Sequence, residues 1–200
     1  MALIKLSNNG VKNITSVGSV GTGDLVFISK QTASSSASIS FTSGIDSTYK
    51  EYVFYFVNCH PSADGVDLNF QASTDGGSSY GVTATNSYFR AIHNESDTTT
   101  QLGYDGGEDV AQSTSFFPLT MPIGSDNDQN GCAILHLFNP SSTTFVKHFI
   151  STSQVVNQSD FSSNVFVGGY FNTTSSIDAV RFQFDSGNID SGEILLYGVN

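Results

Sequence analysis

Val180-Arg181-Phe182-Gln183-Phe184-Asp185 places an apolar side chain at every second position. The stretch Val66-Asp67-Leu68-Asn69-Phe70-Gln71-Ala72-Ser73 repeats the same alternation. Successive side chains of an extended strand point to opposite faces of a sheet, so a period of two predicts strands with one buried and one solvent-facing side. The two stretches therefore predict antiparallel sheets that pack on a core through one face.

Two further segments, residues 52–57 and 132–138, are apolar at nearly every position. We expect them to be central strands, or strands whose second face is covered by a neighbouring subunit. Aromatic and β-branched residues predict strands at other places along the chain as well. These are residues 25–30, 38–41, 87–93, 145–152, 165–171 and 194–199.

The whole pattern predicts one all-β domain, an antiparallel β-sandwich or jelly roll of about ten strands with an extended N-terminal arm. Residues 1–31 are expected to hold the arm and the first strands and to anchor the protein, and residues 32–200 to form the sandwich. Residues 180–184 are expected to pair with residues 194–199 in a C-terminal hairpin that closes the core. Gly187 would supply the positive φ that its turn needs.

The chain of 200 residues carries 18 acidic and 7 basic side chains, a net charge of −11. Nucleic-acid binding needs clustered cations, and an acidic membrane surface repels an acidic chain, so we expect neither partner. Charged residues make up 12% of the chain, against about 25% in typical soluble domains. Few charges would have to be desolvated when subunits pack together, which favours a homo-oligomer.

The N-terminus shows no secretory segment, because the short apolar run of residues 2–6 is followed at once by polar residues 7–10. No apolar run approaches the ~20 residues needed to span a bilayer. We expect synthesis in the cytoplasm and, if the protein acts outside a cell, release by a route such as lysis. Cys59 and Cys132 both stand at the ends of apolar runs. They are expected to be buried thiols, with a disulfide between them as the alternative.

The stretch Asp126-Asn127-Asp128-Gln129-Asn130-Gly131 matches the opening of a calcium loop, with Asp126, Asp128 and Asn130 as candidate metal ligands. The acid expected at position twelve of such a loop is replaced by Leu137. A polar turn rich in Asx residues accounts for the same composition. We therefore expect no cofactor, and calcium is the alternative.

Residues 94–130 carry few strand signals and predict a long loop. Its acids have no spacing that places two of them as the carboxylate pair of a glycosidase. The histidines lack metal-ligand spacing, and a dyad of Cys59 with His136 has no supporting motif. We therefore expect that the protein is not an enzyme and has no catalytic residue. The acids are Glu95, Asp97, Asp105, Glu108 and Asp109, and the histidines are His60, His93, His136 and His148.

The stretch from Ser73 to Tyr80 resembles the Asp-box hairpin, with Tyr80 in place of the usual tryptophan. We expect Asp75 to cap the turn and the ring of Tyr80 to pack beneath it. A propeller would need several copies of this motif, and the chain has one. The motif therefore predicts a structural hairpin.

The C-terminal phrases Ser186-Gly187-Asn188 and Ile194-Leu195-Leu196-Tyr197-Gly198-Val199 resemble the end of virion proteins from tailed bacteriophages of marine bacteria. Residues 145–149, 88–90 and 2–6 are similar to phrases of the same proteins. The resemblance implies a β-sandwich component of the virion, a capsid decoration or a tail-fibre part. It also implies a homotrimer that contacts other virion proteins, and it supplies no catalytic residue.

The expected function is that of a non-enzymatic structural component of a virion, attached to capsid or tail through the N-terminal arm. The alternative is a receptor-binding adhesin module of a tail fibre that binds host cell-surface glycan. Sugars are held by aromatic rings flanked by polar groups. The candidate rings for that alternative are Tyr80, Tyr88 and Tyr104.

Overall fold

The computed structural model describes residues 25–200 and, over that range, contains strands and no helix. Within these residues there is consequently no helix long and apolar enough to cross a membrane. The strands are β1 (Leu25–Thr32), β2 (Ile39–Phe41), β3 (Glu51–Pro61), β4 (Leu68–Ser73), β5 (Ala84–Asn94), β6 (Thr100–Tyr104), β7 (Phe117–Pro118), β8 (Gly131–Phe138), β9 (Lys147–Val156), β10 (Phe161–Phe171), β11 (Ala179–Phe184) and β12 (Ile189–Val199).

The strands form two antiparallel sheets that pack face to face. The large sheet has eight strands in the order β1-β12-β3-β8-β9-β10-β5-β6, and the small sheet has four in the order β2-β11-β4-β7. The prediction of an all-β antiparallel sandwich is confirmed. Strands β3 and β8 pair with each other and each has a further neighbour, so the two apolar segments are central strands as expected.

The core between the sheets is built largely from phenylalanine rings. Phe70 and Phe182 on the small sheet meet rings of the large sheet at centroid distances near those of favourable edge-to-face pairs, 5.4 Å for Phe54–Phe182 and 5.7 Å for Phe70–Phe149. All four side chains are completely buried. The alternating apolar residues of β4 and β11 therefore do face the core, as their period predicts.

The predicted C-terminal hairpin is wrong. Strand β11 pairs with β2 and β4 in the small sheet, whereas β12 pairs with β1 and β3 in the large sheet. The turn between them crosses from one sheet to the other. Gly187 has φ +72°, and a Cβ there would lie 2.9 Å from the Cβ of Ala63, so its expected conformation is confirmed in a different setting. The sequences of two consecutive strands carry no signal about which sheet each strand joins.

The segment of residues 94–130 is not the strand-poor loop that its composition predicts. Strand β6 pairs with β5 at one edge of the large sheet, and the short β7 pairs with β4 at the edge of the small sheet. The sequence of β6, Thr-Gln-Leu-Gly-Tyr, contains a single aliphatic residue and a glycine. An edge strand with one exposed face needs few apolar residues, so it leaves a weak pattern.

The boundary expected at residue 31 falls inside β1, which pairs with β12 along the edge of the large sheet. Residues 25–31 are thus part of the sandwich. The N-terminal arm itself, residues 1–24, lies outside the described residues.

The Asp-box stretch is a connection between sheets and not a hairpin, because β4 lies in the small sheet and β5 in the large one. Its turn has the predicted chemistry. The Ser79 backbone N–H donates to Asp75 Oδ1 at 2.9 Å, and the hydroxyl of Ser73 donates to the same carboxylate oxygen at 2.6 Å. These hydrogen bonds lower the pKa of Asp75 to about 2, and the contribution of Ser73 is larger than that of Ser79.

Candidate functional site

The outward side of the small sheet is polar, as expected for an antiparallel sheet with one solvent face. Arg181 and Gln183 point outward from β11 and are half-buried. Arg181 Nε donates to Ser40 Oγ at 2.9 Å. Gln71 of β4 is fully buried on this side, because the chain segment that contains Thr114 and Ser115 covers it. Gln71 Nε2 donates to the backbone carbonyls of both residues.

The outward side of the large sheet is apolar, although the solvent-facing side of an antiparallel sheet is normally polar. This side is therefore the candidate functional site. We call it the outer face. Its side chains alternate with core residues along each strand, for example Phe166 between buried Val165 and Val167. Large apolar residues are exposed there from one edge of the sheet to the other. They are Leu25, Phe27, Val57, Phe89, Leu102, Tyr104, Ile134, Ile150 and Phe166.

A continuous row of side chains crosses six strands of the outer face. The strand registers place Tyr55 opposite Ile134, then Thr152, Phe166, Phe89 and Tyr104 in succession. The rings of Phe166 and Phe89 are stacked, with centroids 5.0 Å apart and planes inclined by 10°. No member of this row is an acid, a lysine or an arginine.

A second row of the outer face, formed by Tyr197, Val53 and His136, contains a side chain that water does not reach. Val53 points away from the core yet is 1% exposed. It lies in register between Tyr197 and His136. The ring of Tyr197 contacts Phe27 on one side and Tyr55 on the other in edge-to-face pairs, with centroids 5.6 Å apart in both. These rings form an ordered apolar surface at this end of the sheet.

Two polar pairs near this surface are formed within the chain. Lys30 Nζ lies 2.5 Å from Glu193 Oε1 on the edge strands β1 and β12. His136 Nδ1 lies 2.6 Å from Glu51 Oε1 on the adjacent strands β8 and β3. A surface that meets this one therefore needs no complementary charge.

A shallow depression of about 360 Å³ opens on the outer face between larger side chains. Residues of three central strands and β10 line it, among them Tyr55, Cys132, Ile134 and Thr152. Cys132 is exposed, so the expectation that it is buried is wrong; Cys59 is buried as expected. Both thiols are free, because the two side chains lie on opposite sides of the sheet.

The position of Cys59 depends on a β-bulge. The register between β3 and β8 shifts between Phe56 and Cys59, and Asn58 there has φ +51°. The extra residue turns Cys59 into the core on the same side as Phe56. Burial raises the pKa of the Cys59 thiol to about 12, with a smaller contribution from Cys132. His136 lies on the outer face, so the dyad of Cys59 with His136 does not form.

The three tyrosines considered for glycan binding occupy three different environments. Tyr88 is fully buried, its hydroxyl donates to the Thr120 carbonyl at 2.9 Å, and burial raises its pKa. It offers no ring surface to a sugar, so this candidate is wrong. Tyr104 is 61% exposed at the rim of the outer face, where its hydroxyl donates to Asp109. Tyr80 lines a polar pocket at one end of the sandwich.

The candidate calcium ligands lie in a turn beside the start of β8. The Gln129 backbone N–H donates to the Asp126 carbonyl at 2.9 Å, and His60 Nε2 lies 3.2 Å from the same carbonyl oxygen. In residues 25–200, no three His, Cys, Asp or Glu side chains are grouped so that they could hold a metal ion. The hydrogen bond from Gln129 to Asp126 closes a four-residue backbone turn over residues 126–129.

The acids of residues 94–130 are divided among separate partners. Asp97 accepts from His93 at 3.0 Å, and Asp105 pairs with Arg90 at 3.1 Å. Glu108 lies near Asp105, and burial followed by that repulsion raises its pKa. Sequence reasoning missed Asp67, which is partly buried close to Glu108 and Asp185. Burial, then the charges of Glu108 and Asp185, raise the pKa of Asp67 to about 8.

The comparisons with known proteins identify no relative. No protein-family model, no curated protein and no solved structure matches the chain.

Proposed function

We propose that the protein is a non-enzymatic structural subunit that assembles with copies of itself, as a trimer, through the outer face of its large sheet. The observation that carries this proposal is the uncharged row from Tyr55 to Tyr104. Exposed apolar patches of more than a few hundred Å² are rare on monomers and mark interaction sites. Each Å² of apolar surface removed from water contributes about 25 cal/mol, which offsets the freedom that the copies lose on association.

The uncharged outer face is the surface on which a second copy meets the least electrostatic resistance. The chain has a net charge of −11, so two copies repel one another, and this repulsion is smallest when no acidic side chains are brought together at the contact. The outer face supplies such a surface, since Lys30 and His136 are already paired within the chain. In a closed symmetric assembly the polar side of the small sheet would remain towards solvent.

The proposed assembly belongs to a virion. This part of the proposal rests on the sequence resemblance of the C-terminal phrases to tailed-phage proteins, which also favours three copies. Attachment to capsid or tail is assigned to the N-terminal arm, residues 1–24. A low content of charged side chains suits dense packing against other virion proteins.

Multi-angle light scattering tests the assembly at micromolar concentration. We expect a mass of three times the 21.3 kDa chain. Phe166→Lys places a charge at the centre of the outer face and should give monomers with an unchanged far-ultraviolet circular dichroism spectrum. Ser47→Lys, at an exposed position in the loop before β3, adds the same charge elsewhere and should leave the trimer intact.

A monomer of the unmodified protein would overturn the proposal. A dimer would retain the outer face as an interface and refute the trimer, and an intact trimer of Phe166→Lys would refute the outer face. Co-purification with assembled particles tests the virion assignment separately, since that assignment fails if the protein is absent from them.

A further inference from the structure

A second feature lies away from the outer face, at the end of the sandwich where the connection from β4 to β5 meets the chain after β10. A pocket of about 550 Å³ opens there. It is lined mainly by hydroxyl groups, an amide and one aromatic ring, and no Asp, Glu, His, Lys or Arg is among its lining residues. The residues that matter here are Thr74, Ser79, Tyr80, Thr83, Thr114 and Asn172.

The ring of Tyr80 is held in place on two sides. The guanidinium of Arg181 lies 4.1 Å from the ring centroid. The Tyr80 hydroxyl is buried beside Gly77, where a Cβ would lie 2.7 Å from that oxygen. Gly77 itself is fixed by its backbone N–H, which donates to Ser73 Oγ at 3.0 Å. A ring fixed in this way loses little freedom when a ligand packs on it.

The opposite wall of the pocket is equally well ordered. The Asn172 backbone N–H donates to the Thr83 carbonyl at 2.7 Å. The side-chain Nδ2 of Asn172 donates to Gln112 Oε1 at 2.8 Å, which orients the amide and leaves Oδ1 to accept a hydrogen bond. The Thr114 carbonyl accepts a hydrogen bond from Gln71 Nε2, so the loop segment that carries the Thr114 side chain is fixed.

We infer that this pocket binds a neutral saccharide. Sugar rings present an apolar C–H face that packs on an aromatic ring and hydroxyl groups that exchange hydrogen bonds with threonine hydroxyls and amides. None of the lining residues offers a counter-charge to a phosphate, sulfate or carboxylate, whose burial without a partner is costly. The nearby guanidinium of Arg181 is already engaged by the Tyr80 ring and Ser40. The pocket lies at the end of the sandwich, so it stays accessible when the outer face is covered.

Saturation-transfer difference NMR on the full chain tests this inference. The probes are methyl glycosides of glucose, galactose, mannose and N-acetylglucosamine, with glucuronic acid as the charged comparison. Single sugars are expected to bind with a Kd of about 1 mM. We expect at least one neutral glycoside to receive saturation and glucuronic acid to receive none.

Matched variants locate the binding. Tyr80→Ala should abolish the signal, whereas Tyr80→Phe should retain it because the hydroxyl is turned under Gly77. Thr83→Val keeps the side-chain shape and should weaken binding about three- to tenfold through one lost hydrogen bond. Tyr104→Ala removes an exposed ring on the outer face and should leave the signal unchanged.

Three outcomes would overturn the inference: no signal from any neutral glycoside, a stronger signal from glucuronic acid, or binding that is lost in Tyr104→Ala and kept in Tyr80→Ala. Light scattering of the same variants keeps this test separate from the proposed assembly. Tyr80→Ala and Thr83→Val should both remain trimers, since neither residue lies on the outer face.

Discussion

Phe182 of β11 stacks on Phe70 of β4, with ring centroids 5.4 Å apart and planes inclined by 17°. The two residues are direct neighbours in the register of the small sheet. Phe182 also meets Phe54 and Phe56 of the large sheet edge to face. One ring thus connects the two layers of the sandwich at its centre.

Phe182→Ala should lower the free energy of unfolding by about 3–5 kcal/mol, because the surrounding rings cannot collapse into the space that the side chain leaves. The measurement is urea unfolding followed by tyrosine fluorescence. Phe182→Leu keeps much of the apolar volume and should cost less than the alanine variant. A loss under about 1 kcal/mol for Phe182→Ala would show that the centre of the core rearranges.

Arg181→Ala should lower the free energy of unfolding by about 1–2 kcal/mol. The period-two pattern alone predicts a negligible effect at this outward position, but the guanidinium covers Tyr80 and donates to Ser40. Gln183→Ala is the control, since Gln183 points the same way from the same strand; it should change stability by less than about 0.5 kcal/mol. Equal losses in the two variants would contradict the role given to Arg181.

The stability of the protein should depend on pH through Asp67, whose pKa in the folded protein is raised to about 8. Below about pH 4 its carboxyl is protonated in both the folded and the unfolded chain, and the group has no effect. As the pH rises from there towards 8, the unfolded chain loses this proton while the folded chain keeps it. The free energy of unfolding should therefore fall across that window and level off above it.

Asp67→Asn tests this dependence, because the amide does not titrate. The difference in free energy of unfolding between the variant and the unmodified protein should grow in favour of the variant from pH 4 to pH 8. Ser47→Asn, at an exposed position without a titratable group, should produce no such trend. A constant difference across the window would show that Asp67 titrates as an ordinary surface acid.

The two thiols should differ in reactivity towards Ellman's reagent. Cys59 is 1% exposed and its pKa is about 12, so it should react only when the chain unfolds. Cys132 lies in the depression of the outer face. It should react readily in monomeric Phe166→Lys and slowly in the trimer, where a neighbouring copy covers it. Equal rates for Cys132 in both forms would place the interface elsewhere, and Cys132→Ser confirms which thiol is measured.

The fold class and the core faces of individual strands were accessible from sequence, because both depend on the local geometry of an extended chain. The alternation of Val180, Phe182 and Phe184 gives the buried side of β11 without knowledge of any partner. Apolar residues on both sides of β3 and β8 likewise indicated central strands. That second apolar side also pointed to the outer face, although not to which residues of the other strands complete it.

Only the tertiary structure decided which strands pair and which side chains reach the surface. Strands β11 and β12 follow one another in sequence and yet belong to different sheets, because pairing depends on the joint burial of whole faces and not on the turn between the strands.

The tertiary structure also decides the side on which single residues lie. The bulge at Asn58 reverses the side on which Cys59 lies. Tyr88 and Tyr104 lie on the paired strands β5 and β6, but contacts with distant residues bury Tyr88 and leave Tyr104 exposed. The alternation of residues 66–73 predicts that Asp67 faces solvent. In the structure Glu108, from a remote segment, lies close to Asp67 and adds to its acidic surroundings. The period and composition of a strand depend on its own residues and predict which of its sides is buried. Strand pairing and the burial of single side chains depend on contacts between residues far apart in the chain.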